Sequence, residues 1–271
     1  MWLSTLVLAG APGSAAAQGS APPANAGAVK LTAGVDVPSL YYFRGIRQET
    51  DPRVTLWPYG DLGITLASAA SGLKSVAVNL GVWNSLHTGS SGLKGQSKQL
   101  HYEEDFYSTL TLGFSAAAVS AKYIAYTSPN QSYTTDKEVD FQLTGTQKYA
   151  PYGLVAFELG KGEADGGKKK GTYLELGAAP NWPLGTATFS IPVVVGLSLK
   201  DYYEGANGDK KFGYADVGGM ITVPISSAQS KYGSWNVHGR ADYMRFGGTT
   251  KAFNKGKASG YWVMGGIGLS Y

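Results

Sequence analysis

The chain has 271 residues, with 38 glycines, 18 tyrosines, no cysteine, only 15% charged residues and a formal net charge of +4. That length allows one large β domain, the glycine and tyrosine content disfavours a helical fold, and the missing cysteine excludes thiol catalysis, cysteine-based zinc sites and disulfides together. The positive balance comes largely from lysines in Gly-rich segments and forms no basic stripe with interleaved stacking aromatics, so nucleic acid is not an expected partner.

In chain order, an apolar stretch from Trp2 to Ala11 is followed by small residues and Ala15-Ala16-Ala17. This predicts a signal peptide over 1–17 with cleavage after Ala17. The Pro-, Gly- and Ala-rich residues 18–29 read as a disordered lead-in, and 30–271 as one domain. No run is long and apolar enough for a membrane helix. Instead, segments of roughly ten residues alternate in parity, which is how a strand presents one face to lipid and the other to a polar lumen.

Twelve such segments are predicted. Lys30 to Arg44 puts Leu31, Ala33, Val35, Val37, Tyr41 and Phe43 outward, with Asp36 and Arg44 inward. Arg53 to Ala67 faces out through Leu56, Leu62, Ile64 and Leu66. The third and fourth show Val76, Val78, Leu80 and Val82, then Phe106, Leu110, Leu112 and Phe114, against inward Asn79, Trp83, Glu103, Asp105 and Tyr107. The fifth keeps Lys122 and Tyr126 inside, and the sixth sets Val139, Phe141 and Leu143 against Glu138, Asp140 and Gln142. Segments seven to nine turn Val155, Phe157, Leu159, Leu174, Leu176 and the odd residues from Phe189 to Leu199 outward, with Pro192 on the inner face as at a bulge. The tenth and eleventh place Asp216, His238, Arg240 and Asp242 inward. The last has Tyr261, Val263, Ile267, Leu269 and the terminal Tyr271 outward.

Odd-numbered connections (Ile46–Pro52, His87–Leu100, Ser128–Asp136, Lys161–Gly171, Asp201–Lys211, Phe246–Ser259) are mostly long and polar, and even-numbered ones mostly short. Long loops on one rim and tight turns on the other are the pattern of an outer-membrane barrel of a Gram-negative bacterium. The fold class is therefore all-β, a transmembrane up-and-down antiparallel β-barrel of about 12 strands by this parity count. A soluble β-sandwich also alternates, but could not leave this outward set in water. No inserted loop or plug is expected in the lumen.

The run Tyr41-Tyr42-Phe43-Arg44-Gly45-Ile46-Arg47-Gln48, followed by Pro52 and then a strand, resembles the opening signature of the TorF-like outer-membrane porin family. The resemblance covers about ten residues, implies an outer-membrane barrel with a porin role, and carries no substrate.

Chemical motifs are sparse. Gly162 to Lys169 nearly spells a phosphate-binding loop, but Lys169 stands where a hydroxyl residue is needed. None of the three histidines has a histidine partner at metal-ligand spacing, so no metal or cofactor is expected. Ser234, Asn236 and His238 share a face, but alternate residues of one strand project in parallel and should not converge into a relay, so no catalytic residue is assigned.

The expected site is the lumen wall: Arg44, Arg53, Asp61, Glu103, Asp105, Lys122, Tyr126, Glu138, Asp140, Asp216, Arg240 and Asp242. Turns centred near Ser132, Ser115 and Gln229 would set Tyr126 opposite Glu138, Asp105 beside Tyr126, and Asp216 opposite Asp242. A mixed, acid-leaning wall suits a narrow diffusion channel for small polar solutes or ions that favours cations. The alternative is a non-conducting structural or adhesive barrel. Expected partners are outer-membrane lipid, lipopolysaccharide phosphates at Lys168, Lys169, Lys170, Lys210, Lys211, Lys251, Lys255 and Lys257, and the barrel-assembly machinery through the strand ending at Tyr271.

Overall fold

The computed structural model describes residues 27–91, 100–160, 166–225 and 233–271; the expected signal peptide lies outside them. Twelve antiparallel strands close into a barrel. They are β1 (Val29–Pro38), β2 (Thr55–Ser68), β3 (Ser75–His87), β4 (His101–Gly113), β5 (Ala117–Thr127), β6 (Asp136–Gly145), β7 (Tyr152–Glu158), β8 (Thr172–Ala178, resuming as Asn181–Leu184), β9 (Ala187–Ser190, resuming as Val193–Lys200), β10 (Phe212–Pro224), β11 (Ser234–Phe246) and β12 (Ser259–Ser270). Each pairs with its neighbours in sequence, and β12 returns to β1 through Thr32↔Ser270 to Pro38↔Met264, leaving the ring without an edge.

Parity decides the two faces. Leu80, Phe106, Phe141, Leu143, Leu176, Leu199, Val217 and Val263 are exposed on the outside of the wall, while Glu103, Asp105, Glu138, Asp140, Asp216 and Asp242 are buried within. An apolar band around a closed barrel with a polar interior is the architecture of a membrane-spanning barrel. Among the described residues no helix is long and apolar enough to cross a membrane. Outward Tyr243 and Tyr261, paired across β11 and β12, lie toward one rim, and outward Trp182, stacked on Phe189, lies toward the other. Such amphipathic rings suit the two interfaces.

The interruptions of β8 and β9 fall beside Pro180 and Pro192, which lack the N–H a ladder needs. The carbonyls of both still accept, from Ile191 and Gly218 respectively. The rim carrying the long connections, among them 39–54, 128–135, 201–211 and 247–258, lies opposite Val29, Tyr271 and the short turns.

Candidate functional site

The connection between β1 and β2 does not stand above the rim. β1 stops at Pro38, and the chain then turns into the barrel. Tyr42–Phe43 pairs with Ile46–Arg47, leaving Arg44 and Gly45 as a two-residue turn with φ of 45° and 81°. Two positive φ angles match the right-handed twist of a tight hairpin and favour Asn or Gly, so an arginine at the first corner is held there against its own backbone preference.

Its side chain shows what holds it. The guanidinium donates to both oxygens of Glu138 at 2.6 and 2.9 Å, donates to the Tyr202 hydroxyl, and lies 4.2 Å over the Tyr173 ring. Glu138 is on β6 and Tyr173 on β8, so the hairpin spans the lumen to the wall facing its own root. The Tyr203 hydroxyl donates to the Arg44 carbonyl at 3.0 Å. A short helix, α1 (Gly248–Phe253), delivers Asn254, whose amide donates to the Gly45 carbonyl at 2.7 Å and accepts from the Arg47 N–H at 2.9 Å. Three connections thus meet inside the long-loop rim.

The hairpin's root is equally fixed. Tyr41 packs against Trp57, Trp83 and Tyr102 at ring separations of 5.3, 5.6 and 6.4 Å, and its hydroxyl donates to Glu103 at 3.0 Å. The Glu49 carboxylate accepts from the Tyr41 N–H at 2.6 Å and from the Thr55 hydroxyl; burial pushes its carboxyl above the usual range against those two bonds. These placements correct three expectations. Tyr41 and Phe43 point inward, because the strand ends before them; Arg44 reaches the lumen from a hairpin tip; and an inserted segment does occupy the barrel.

On the wall, Lys122 meets Asp140 at 2.9 Å, and Arg240 holds Asp242 with two bonds of 2.6 and 2.7 Å beneath Trp262. Tyr126 donates to Glu138 at 2.9 Å, and Asn79 to Asp61 at 2.7 Å. His238 bonds Asp36 at 2.8 Å. Asp105 and Asp216 are both buried, each hydrogen-bonded to a second carboxyl group, Glu103 and Asp242 respectively. Arg53 is corrected: it precedes β2, is exposed, and pairs with Asp51 at 3.2 Å. Two registers also shift. Tyr126 pairs with Asp136 rather than Glu138, and Asp216 with Met244 rather than Asp242, while Asp105 does pair with Tyr126.

Several inward tyrosines lie flat on the wall. Tyr107 covers Gly81, Tyr152 covers Gly177 and Tyr59 covers Gly34, each so closely that a Cβ at the glycine would collide with the ring.

Sequence reasoning missed Glu49, Tyr173, Tyr202, Tyr203 and Asn254, because their partners lie far away in the chain. It also misjudged neighbours on one strand. Ser85 Oγ and His87 Nε2 lie 2.6 Å apart, and His238 and Asn236 bond at 3.0 Å, so same-face residues two apart do converge. Glu49 lies 3.7 Å from His87 Nδ1, completing a serine, histidine and carboxylate in sequence. All three are buried, Trp57 donates to the serine oxygen at 2.9 Å, and Tyr102 stacks on the imidazole. The Glu49 backbone bridges to Ser91, so the set lies where the root of the hairpin meets the wall.

No family model matches the chain, and no curated protein matches it in sequence. The chain is similar to solved barrels at low identity. They include the NanC porin (10% identity, TM-score 0.44, 89% of this chain and 99% of that one) and outer membrane phospholipase A from Escherichia coli (11%, 0.44, 88% and 92%). A third is the translocator domain of the autotransporter NalP from Neisseria meningitidis (13%, 0.41, 90% and 89%). A porin, a phospholipase and a translocator have different tasks, so these likenesses choose no function.

Proposed function

We propose that the protein is a bacterial outer-membrane barrel forming a narrow, cation-leaning diffusion channel for small polar solutes or ions, with the hairpin at Arg44–Gly45 as its constriction. The observation that carries this reading is the balance of the inner wall, where the inward carboxylates of Asp61, Glu103, Asp105, Glu138, Asp140, Asp216 and Asp242 outnumber the bases Arg44, Lys122 and Arg240. Inward carboxylates in excess of bases favour cations. The asymmetry of the connections orients the long rim outward, where the lysine-bearing loops face lipopolysaccharide, and the strand ending at Tyr271 would serve barrel assembly from the other side.

A second reading, a non-conducting structural or adhesive barrel, draws on the packing of Trp57, Trp83 and Trp262 with Tyr41 and on the internal ion pairs. Single-channel recording of the refolded protein, with reversal potentials across a potassium chloride gradient, separates the two. Discrete steps whose cation preference weakens in Asp105→Asn and Asp216→Asn support the channel. A silent bilayer with folded, inserted protein rejects it.

A further inference from the structure

The contacts of Arg44 have the form of a ligand in a receptor. Glu138 presents both carboxylate oxygens to the two terminal nitrogens, Tyr126 fixes that carboxylate through Oε2, and the Tyr173 and Tyr202 rings lie 4.2 and 5.2 Å from the guanidinium carbon. These four residues belong to β6, β5, β8 and the 201–211 connection, and none to the hairpin that supplies the arginine. The receptor is therefore built by the wall and one outer connection, and the occupant is brought to it by another segment. A planar fork on a carboxylate, roofed by aromatic rings, selects guanidinium over ammonium, because only the former makes two parallel bonds while stacking.

We propose that this cage is a binding site for small solutes bearing a guanidinium group, and that Arg44 is a built-in occupant with which such solutes compete. Its backbone points the same way. An arginine at φ 45° in a turn corner that favours Asn or Gly is accounted for by what its side chain reaches. Because the occupant is tethered, its effective concentration is in the range of millimolar. An external guanidinium must exceed that to enter, and in entering it frees the hairpin tip from the far wall. A role in passage rests on the channel reading above; the binding itself does not.

The test is calorimetric titration of the refolded protein in detergent micelles with methylguanidinium, methylammonium and a blocked Gly-Arg-Gly peptide. Arg44→Ala is expected to bind methylguanidinium about tenfold or more tighter than the wild type, because the tethered competitor is gone. The double variant Arg44→Ala/Glu138→Gln should lose that gain. Equal binding by single and double variants overturns the proposal, as does equal binding of methylammonium. Binding of the peptide but not of methylguanidinium overturns the small-solute assignment and makes the cage a peptide-arginine site.

Should Arg44→Ala not refold, the wild type serves. Methylguanidinium, and not methylammonium, should accelerate chymotryptic cutting after Tyr42 or Phe43 at least severalfold, and no acceleration refutes competition. A silent bilayer with intact binding rejects the channel and keeps the cage; conduction without binding does the reverse.

Discussion

Replacing Asn254 by alanine isolates the clamp on the hairpin without touching barrel wall or arginine. The amide is 3% exposed and satisfies two backbone groups of the hairpin, the Gly45 carbonyl at 2.7 Å and the Arg47 N–H at 2.9 Å. A methyl group leaves both without a partner in a buried setting. At about 1–2 kcal/mol for each stranded group, the docked hairpin loses about 2–4 kcal/mol relative to the released one. That corresponds to a roughly 30- to 700-fold larger released population. Trypsin reads this population directly, since Arg44 and Arg47 are cleavage sites hidden in the docked hairpin; when reclosing outpaces cutting, the rate follows the open fraction. Asn254→Asp keeps the acceptor for Arg47 but sets a buried carboxylate oxygen against the Gly45 carbonyl, so it should be cut at least as fast as alanine. Cutting of Asn254→Ala after either arginine at the wild-type rate, within about twofold, would show that the clamp carries no part of the docking energy.

Glu49 makes hairpin docking depend on pH. Burial raises its carboxyl in the docked state, so its contribution to docking is full below the ordinary carboxylate range and is lost as pH rises through the raised value. Tryptic cutting after Arg47 should therefore increase across that acid interval, and Glu49→Gln should flatten the rise. On the wall, Gly81→Ala displaces the Tyr107 ring that lies against it, pushing it toward the lumen. Unitary conductance should fall, and urea titration should show a loss of about 1–3 kcal/mol from overpacking. On the outer face, Leu80→Arg near the middle of β3 sets a charge against the lipid; folding into vesicles should weaken by about 2–4 kcal/mol, whereas an unchanged urea midpoint would mean that Leu80 does not face lipid.

The barrel was legible because alternation is a local property, repeated in every strand. The odd residues of β5 and β9 and the even residues of β4 from Phe106 to Leu112 face outward as their sequence implies, and the terminal strand pairs with β1 to close the ring. Register was not legible to the same degree. Moving a strand by two residues leaves every side chain on its own face, so parity cannot detect the shift. Tyr126 opposite Asp136 instead of Glu138, and Asp216 opposite Met244 instead of Asp242, are both displacements of this kind. The expected contact between Tyr126 and Glu138 still forms, at 2.9 Å, because a phenol reaches diagonally across a ladder.

The hairpin was hidden by the rule that revealed the barrel. Tyr41 and Phe43 continue the odd outward parity of β1, so a reading by alternation carries the strand past Pro38 to Arg44. Two local signals contradict it: a proline that ends the ladder, and Arg44-Gly45 flanked by Tyr42-Phe43 and Ile46-Arg47, the spacing of a two-residue turn. The partners that pull this hairpin inward are 94 residues away at Glu138 and 209 at Asn254, and no window of sequence joins them. What parity does supply is an imbalance. Inward carboxylates outnumber inward bases, and a cation on a connection long enough to fold back is drawn into such an interior. An arginine at the tip of the first connection therefore has its energetic partner inside the barrel, and the turn conformation at Arg44 follows from that attraction.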